Sequence, residues 1–331
     1  MNVTLKAKCE LFADNYTLIH NDFKWEYDIM NIVAASIYTN AGMKADIQKM
    51  KDCKRILKEK QSIFSDLRGT VELALLAKMA VSSVPENYLD EVINVYGKIK
   101  KGKIFTTDYM VLSAMIICDQ RKALQAEEII EKTKKIIKLM KKEHPILTGS
   151  EDIPFATLMA MMPTEESKLI ADMEECFDVL KKKFPFHKDS VQGLCQVLTL
   201  SNMAGEDKCK KASDIFDALK KEGIKYGKST ELAALGALVD VDIDPALMAK
   251  EIEEASDLLK KHKGFGNFSL GKETRAMFAA LLVAEDHAAD KYGSTSTALG
   301  GAVAILIAEE IVLMMLMTIA AANSAASSAA N

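Results

Sequence analysis

Apolar positions along this chain follow two alternating patterns. Six short runs, over residues 71–81, 109–118, 154–162, 191–200, 232–239 and 275–284, are apolar on nearly every side. Helices of that kind have to be buried. Between them lie longer amphipathic runs. Leu89, Val92, Tyr96 and Ile99 step by 3, 4 and 3, and so do Ile170, Met173, Phe177 and Leu180, the spacing of one helical face. The expectation is short helices lining the middle of the molecule and long ones outside. Residues 4–20 read as a further helix, with Leu11, Phe12, Tyr16 and Ile19 on one face. Residues 25–40 read as a short inner helix and 43–60 as a basic outer one, with Gly42 as a C-cap between them.

The joins between helices repeat. An apolar anchor followed by Lys-Lys occurs at Leu57, Ile99, Met140, Leu180, Leu219 and Leu259, at intervals of 42, 41, 40, 39 and 40 residues; only the first has Lys-Glu instead. A large apolar residue follows each anchor: Phe64, Phe105, Leu147, Phe186, Tyr226 and Phe265. A polar residue suited to capping comes next: Thr70, Asp108, Asp152, Ser190, Thr230 and Thr274. A fixed period near forty residues is the mark of stacked helix pairs, each unable to bury its apolar face alone. The fold class expected is all-α: about six 40-residue helix-pair repeats in an α-superhelical, solenoid-like array or a closed α/α ring. Residues 1–24 would cap it, 25–297 would form the array, 298–322 an apolar C-terminal helix, and 323–331 an Ala/Ser-rich disordered tail.

Composition fits this picture. Apolar residues are 49% and charged residues 27% of 331, Pro is only 6, and the net charge is −4. That balance gives no general pull towards nucleic acid, and no aromatic platform interleaves with the basic runs. The six cysteines are scattered at apolar positions with no C-x-x-C pair, which suits a reducing compartment. The opening residues carry no signal-peptide pattern, so the cytoplasm is expected. Trp25, the only tryptophan, reads as a packing anchor.

Charge is polarised along each long helix, with acids first and lysines last, as the helix dipole favours. Stacked in register, the lysines would form a basic edge: Lys100 and Lys101, Lys141 and Lys142 with His144, Lys181 and Lys182, Lys220 and Lys221. Such an edge would dock an anionic partner, most simply a protein. The plainer reading is a solvated edge that keeps the array soluble.

The third turn, Glu143-His144-Pro145-Ile146-Leu147-Thr148-Gly149-Ser150-Glu151-Asp152, stands apart from the others. Together with Asn15-Tyr16, Phe23-Lys24-Trp25 and the Ala/Ser-rich tail, it resembles an uncharacterised family of bacterial all-helical proteins, the domain of unknown function numbered 4003. The resemblance covers nearly the whole chain. An aromatic residue is expected after His144-Pro145 and near residue 153, where this chain has Ile146 and Ile153. The resemblance implies an all-helical fold and no activity.

Motifs that carry chemistry are few. Glu285, Asp286, His287 and Asp290 could supply ligands to a metal or an acid–base pair. Asp240 closes an earlier short helix and could share their rim, giving an enzyme or small-molecule site as an alternative to a non-catalytic scaffold. Ordinary polar helix ends are the plainer reading. Asp240, Asp242 and Asp244 alternate, but Pro245 and Ala246 break any calcium loop. No phosphate loop or nucleophile turn occurs, and no cofactor is expected. The 298–322 stretch is apolar except for Glu309, Glu310 and a few small residues. Two acids near its middle, at roughly 2.5–3.5 kcal/mol each, disfavour a membrane span. The favoured choices are an internal helix across the array or a homo-oligomer contact, with membrane association through this stretch kept as the alternative.

Overall fold

The computed structural model describes residues 1–292, apart from residues 25, 27, 64 and 103–105, and among the described residues every regular element is helical. The α-helices are α1 (Val3–Asp22), α2 (Asp28–Asn40), α3 (Ile47–Lys60), α4 (Glu72–Val81), α5 (Pro85–Lys100), α6 (Asp108–Asp119) and α7 (Ala126–Glu143). They continue with α8 (Ile153–Ala160), α9 (Glu166–Lys183), α10 (Lys188–Leu198), α11 (Gly205–Lys221), α12 (Pro245–Leu259) and α13 (Lys272–Tyr292). Short 3-10 segments cover Asp66–Arg68 and Ala123–Gln125, and a longer one covers Thr230–Leu238. Trp25, Phe64, Phe105 and the 298–322 stretch lie outside the described residues, and so does the side chain of Asp290.

Both helix types behave as their patterns require. Every residue from Met30 to Thr39 of α2 is buried, as is every residue from Met110 to Cys118 of α6. On α5, Leu89, Val92, Tyr96 and Ile99 are buried, and on α9 so are Ile170, Met173, Phe177 and Leu180. The apolar stripes therefore pack inward while the charged faces stay wet.

The helices fall into two compact units. One takes its described residues from 14–137 and 148–161. In it α2 packs on α4, α4 on α5, α5 on α6, and α6 on α8. Asn15 organises its start. This fully buried amide donates to Thr39 Oγ1 (3.2 Å) and to the Met43 carbonyl (3.0 Å), and it accepts from the Ala45 N–H (2.8 Å). Only a side chain with both a donor and an acceptor serves all three. The turn it holds depends on Gly42, whose φ of +65° suits a C-cap glycine.

The other unit takes its described residues from 1–13, 138–147 and 162–292. Here α9, α11 and α12 pack in succession, and α10, the 3-10 helix Thr230–Leu238 and α13 pack in succession against them. Lys208 meets Asp172 and Lys183 meets Asp217, so α9 and α11 run parallel and in register. Phe12 of α1 stacks edge-on against Phe265 and tilts against Phe278, at 5.1 and 5.6 Å between ring centres.

Two expectations need correction. The segment from Thr230 is a 3-10 helix, not an α-helix. Gly236 lies so close to Val197 of α10 that a Cβ there would sit 2.4 Å from Val197 Cγ1, and the narrower 3-10 helix brings the backbone near its neighbour. Capping also differs. Thr70 gives its hydroxyl to Asp108, and Thr274 gives its own to Glu231 (3.4 Å). Asp152 accepts from the Gly149 N–H (2.7 Å), and Ser190 lies inside α10. The side chain of Thr230 is outside the described set. Among the described residues, side chains that cap α-helices include Asn2, which accepts from the Leu5 N–H (2.7 Å) at the start of α1, Asp46, which accepts from the Lys49 N–H, and Asp244, which accepts from Ala246 and Leu247 ahead of α12.

Candidate functional site

Several of the lysines that end the long helices carry charge that no neighbouring carboxylate neutralises among the described residues. Lys141, Lys142, Lys182, Lys220 and Lys221 are exposed and have no ion pair among the described residues. Lys181 differs. It pairs with Asp178, holding that carboxyl below the usual carboxylate range, and stands over the Phe177 ring at 5.6 Å. His144 is also engaged. Its Nε2 lies 2.9 Å from Glu174 Oε2, and its ring lies 4.5 Å from that of Phe177. In the unit that contains α5, Lys100 sits over Tyr96 at 5.1 Å and Lys101 is exposed. Of the residues expected on a basic edge, the free ammonium groups thus belong to the helix-terminal Lys-Lys pairs other than Lys181, while His144 itself packs on α9 through Glu174 and Phe177. Leu147 of the same turn accepts from Gln192 Nε2 at 3.4 Å.

The acidic residues named as a metal or acid–base cluster each have a different partner. Asp240 accepts from Ser201 Oγ (2.6 Å). Glu285, nearly fully buried, pairs with Lys8 (3.2 Å), and Asp286 accepts from Asn2 Nδ2 (2.8 Å). His287 Nε2 lies 2.6 Å from Glu251 Oε2. Glu285, Asp286 and His287 therefore tie α13 to α1 and α12. Among the described residues no group of three or more His, Cys, Asp or Glu side chains could hold a metal ion. Asp286 and burial together keep the neighbouring Cys9 thiol protonated, its pKa pushed up to about 12, with burial the larger cause. Such a thiol is inert rather than nucleophilic.

An apolar cavity of about 170 Å³ lies in the other unit, lined by Ile99, Ile117, Ile130, Ile137 and Ile153. The hydroxyls on its wall turn back to their own helices. Ser113 donates to Tyr109 O, Thr133 to Ile129 O and Thr157 to Ile153 O, at 2.7–2.9 Å. The cavity offers shape, and the ionisable group in its lining, Lys134, is already committed to Glu131.

Residues 15–312 match the family model described as "Protein of unknown function (DUF4003)". The chain belongs to the DUF4003 family. No curated protein and no solved structure gives a match. Within the DUF4003 span fall the Asn15 clamp and the contacts of His144, and in both the polar bonds join parts of the fold to one another. No helix among the described residues of this DUF4003 protein is long and apolar enough to cross a membrane. Reading the sequence for paired lysines named the helix-end pairs and missed Lys183, Lys225 and Lys228. These share a concavity with Lys220, and the only signal for them was their crowding into the turns after α9 and α11.

Proposed function

We propose that this DUF4003 protein is a non-catalytic cytoplasmic scaffold of helix-pair repeats, and that an acidic segment of a protein partner docks on its Lys-rich turns. The observation that carries this reading is the set of exposed, unpaired lysines closing α7, α9 and α11. Fixed charges of one sign on rigid helix ends steer an oppositely charged partner and set its register. Each rim contact contributes only about 0–1 kcal/mol, so affinity would come from several lysines acting together.

The repeat reading is supported by side-chain links that recur at the sequence period. Thr106 reaches Asp66, Lys78 reaches Asp119, Lys122 reaches the Met161 carbonyl, and Ser201 reaches Asp240, over separations of 40, 41, 39 and 39 residues. Helix pairs stacked one repeat apart bring such positions together. Six free, buried cysteines suit the cytoplasm.

The test is fluorescence anisotropy with a labelled peptide of alternating Glu and Asp. Binding should weaken as salt rises, disappear in a chain carrying K181E, K182E, K220E and K221E, and survive when the same four become Arg. Equal binding by the charge-reversed chain would remove this reading.

A further inference from the structure

Beside the turn row lies a basic feature of a different shape. The ends of α9 and α11, together with the starts of α10 and of the 3-10 helix Thr230–Leu238, surround a concavity of about 670 Å³. That is within the size range of small-molecule sites. Four lysines line it, Lys183, Lys220, Lys225 and Lys228. Two of these are neutralised, Lys183 by Asp217 (2.7 Å) and Lys225 by Glu273 (2.8 Å). Lys220 and Lys228 have no carboxylate partner among the described residues, and Lys228 Nζ stands 5.7 Å from the centre of the Phe216 ring. Four ammonium groups against two carboxylates leave the lining with a net charge of +2.

Two helix starts open on the same space. His187 precedes α10 and Ser229 precedes the 3-10 helix; both line the concavity, and neither side chain caps its helix. The first N–H groups of each helix therefore lack a side-chain acceptor from the cap position, and such groups favour an anion. The acids of those first turns, Asp189 and Glu231, are not part of the lining. The floor is apolar: Phe184 meets Phe216 edge-on at 5.0 Å, and Ile224 lies beside them. The hydroxyl of Tyr226 is already committed to the Glu231 carbonyl at 3.1 Å.

We propose that this concavity binds a small phosphorylated organic molecule. Its phosphate would be held by Lys220, Lys228 and His187, and its apolar part would rest on Phe184 and Phe216. The donor set selects phosphate over carboxylate. Every cation is a point-charge ammonium, and no Arg is present to make the planar fork that a carboxylate prefers. A phosphomonoester dianion also matches the net +2. This inference is independent of protein docking on the turn row, although the two share Lys220.

The experiment is titration calorimetry on the full chain with four probes: inorganic pyrophosphate, a nucleoside diphosphate, a phosphoserine peptide and an unphosphorylated acidic peptide. Pyrophosphate should bind, and the nucleoside diphosphate should bind more tightly through its ring. The phosphoserine peptide, too large for the concavity, should bind more weakly than the nucleotide. The exposed double variant K220Q/K228Q should weaken nucleotide binding by about tenfold for each lysine removed. K141Q/K142Q, which alters only the turn row, should leave it unchanged. The proposal is overturned if neither pyrophosphate nor the nucleotide gives heat, if K220Q/K228Q binds as well as the parent, or if K141Q/K142Q loses as much. It is equally overturned if the phosphoserine peptide or the unphosphorylated peptide binds as tightly as the nucleotide.

Discussion

Two ion pairs join α9 to α11, and they should differ severalfold in strength. Lys208 is 1% exposed and its partner Asp172 is 31% exposed, whereas Lys183 and Asp217 are 25% and 63% exposed. Breaking a fully buried pair by removing one partner costs about 3–5 kcal/mol. Asp172 keeps a third of its surface in water and is partly rehydrated when left alone, which lowers the expected coupling to about 1.5–3 kcal/mol. Lys208→Met keeps most of the stem volume, so the loss reports charge rather than packing. The assay is a double-mutant cycle, with Lys208→Met and Asp172→Asn read from urea unfolding midpoints. The same cycle on Lys183→Met and Asp217→Asn should give about 0–1 kcal/mol. Raising salt should erase the second coupling and spare most of the first. Coupling below about 0.5 kcal/mol for Lys208 and Asp172, the limit of ordinary additivity, would refute the parallel register of α9 and α11.

Three further outcomes follow from the packing. Arg275 is buried and donates to Ser256 Oγ, the Phe265 carbonyl and Asn267 Oδ1 at 3.2, 2.9 and 2.9 Å; Arg275→Met should cost about 3 kcal/mol in denaturant unfolding, and Arg275→Lys nearly as much, since one ammonium cannot span the fork. A Cβ on Gly236 would lie 2.7 Å from Val197 Cβ, so Gly236→Ala should cost about 1–3 kcal/mol by overpacking, and Val197→Ala should restore part of it. Burial pushes the Cys9, Cys53 and Cys118 thiols up to about 12, 11 and 12, from an ordinary 9.0. The folded state thus holds these protons more tightly than the unfolded one, so their contribution to stability is intact below pH 9.0 and is lost as pH rises towards those values. Melting temperature should fall across that window, and native alkylation near neutral pH should be slow.

Helix existence and helix faces were legible because they rest on periodicity alone. The stripes of α5 and α9 and the all-apolar runs of α4, α6 and α8 needed no tertiary information. Gly42 was legible because a left-handed C-cap has few residues to choose from. The turns were harder. Thr70 and Thr274 look like helix caps in a linear reading, but each finds a better acceptor on another segment, on Asp108 and on Glu231. Phe186 sits at the repeat's large apolar position yet is 92% exposed, while Phe184, two residues earlier, is buried against Phe216. A drift of two residues in a turn is invisible to a forty-residue period. The Glu285–Asp286–His287 run looked chemical because its partners Lys8, Asn2 and Glu251 are distant in sequence. Lys225 and Lys228 were passed over because lysines in a turn read as solvent-facing until the concavity beside them is seen.

Docking on the Lys-rich turns is tested most directly by hydrogen exchange of the full chain, with and without the acidic peptide. Protection is expected in residues 141–148, 181–187 and 220–228. Protection confined to residues 251–287, or none at peptide concentrations that saturate the anisotropy signal, would contradict it.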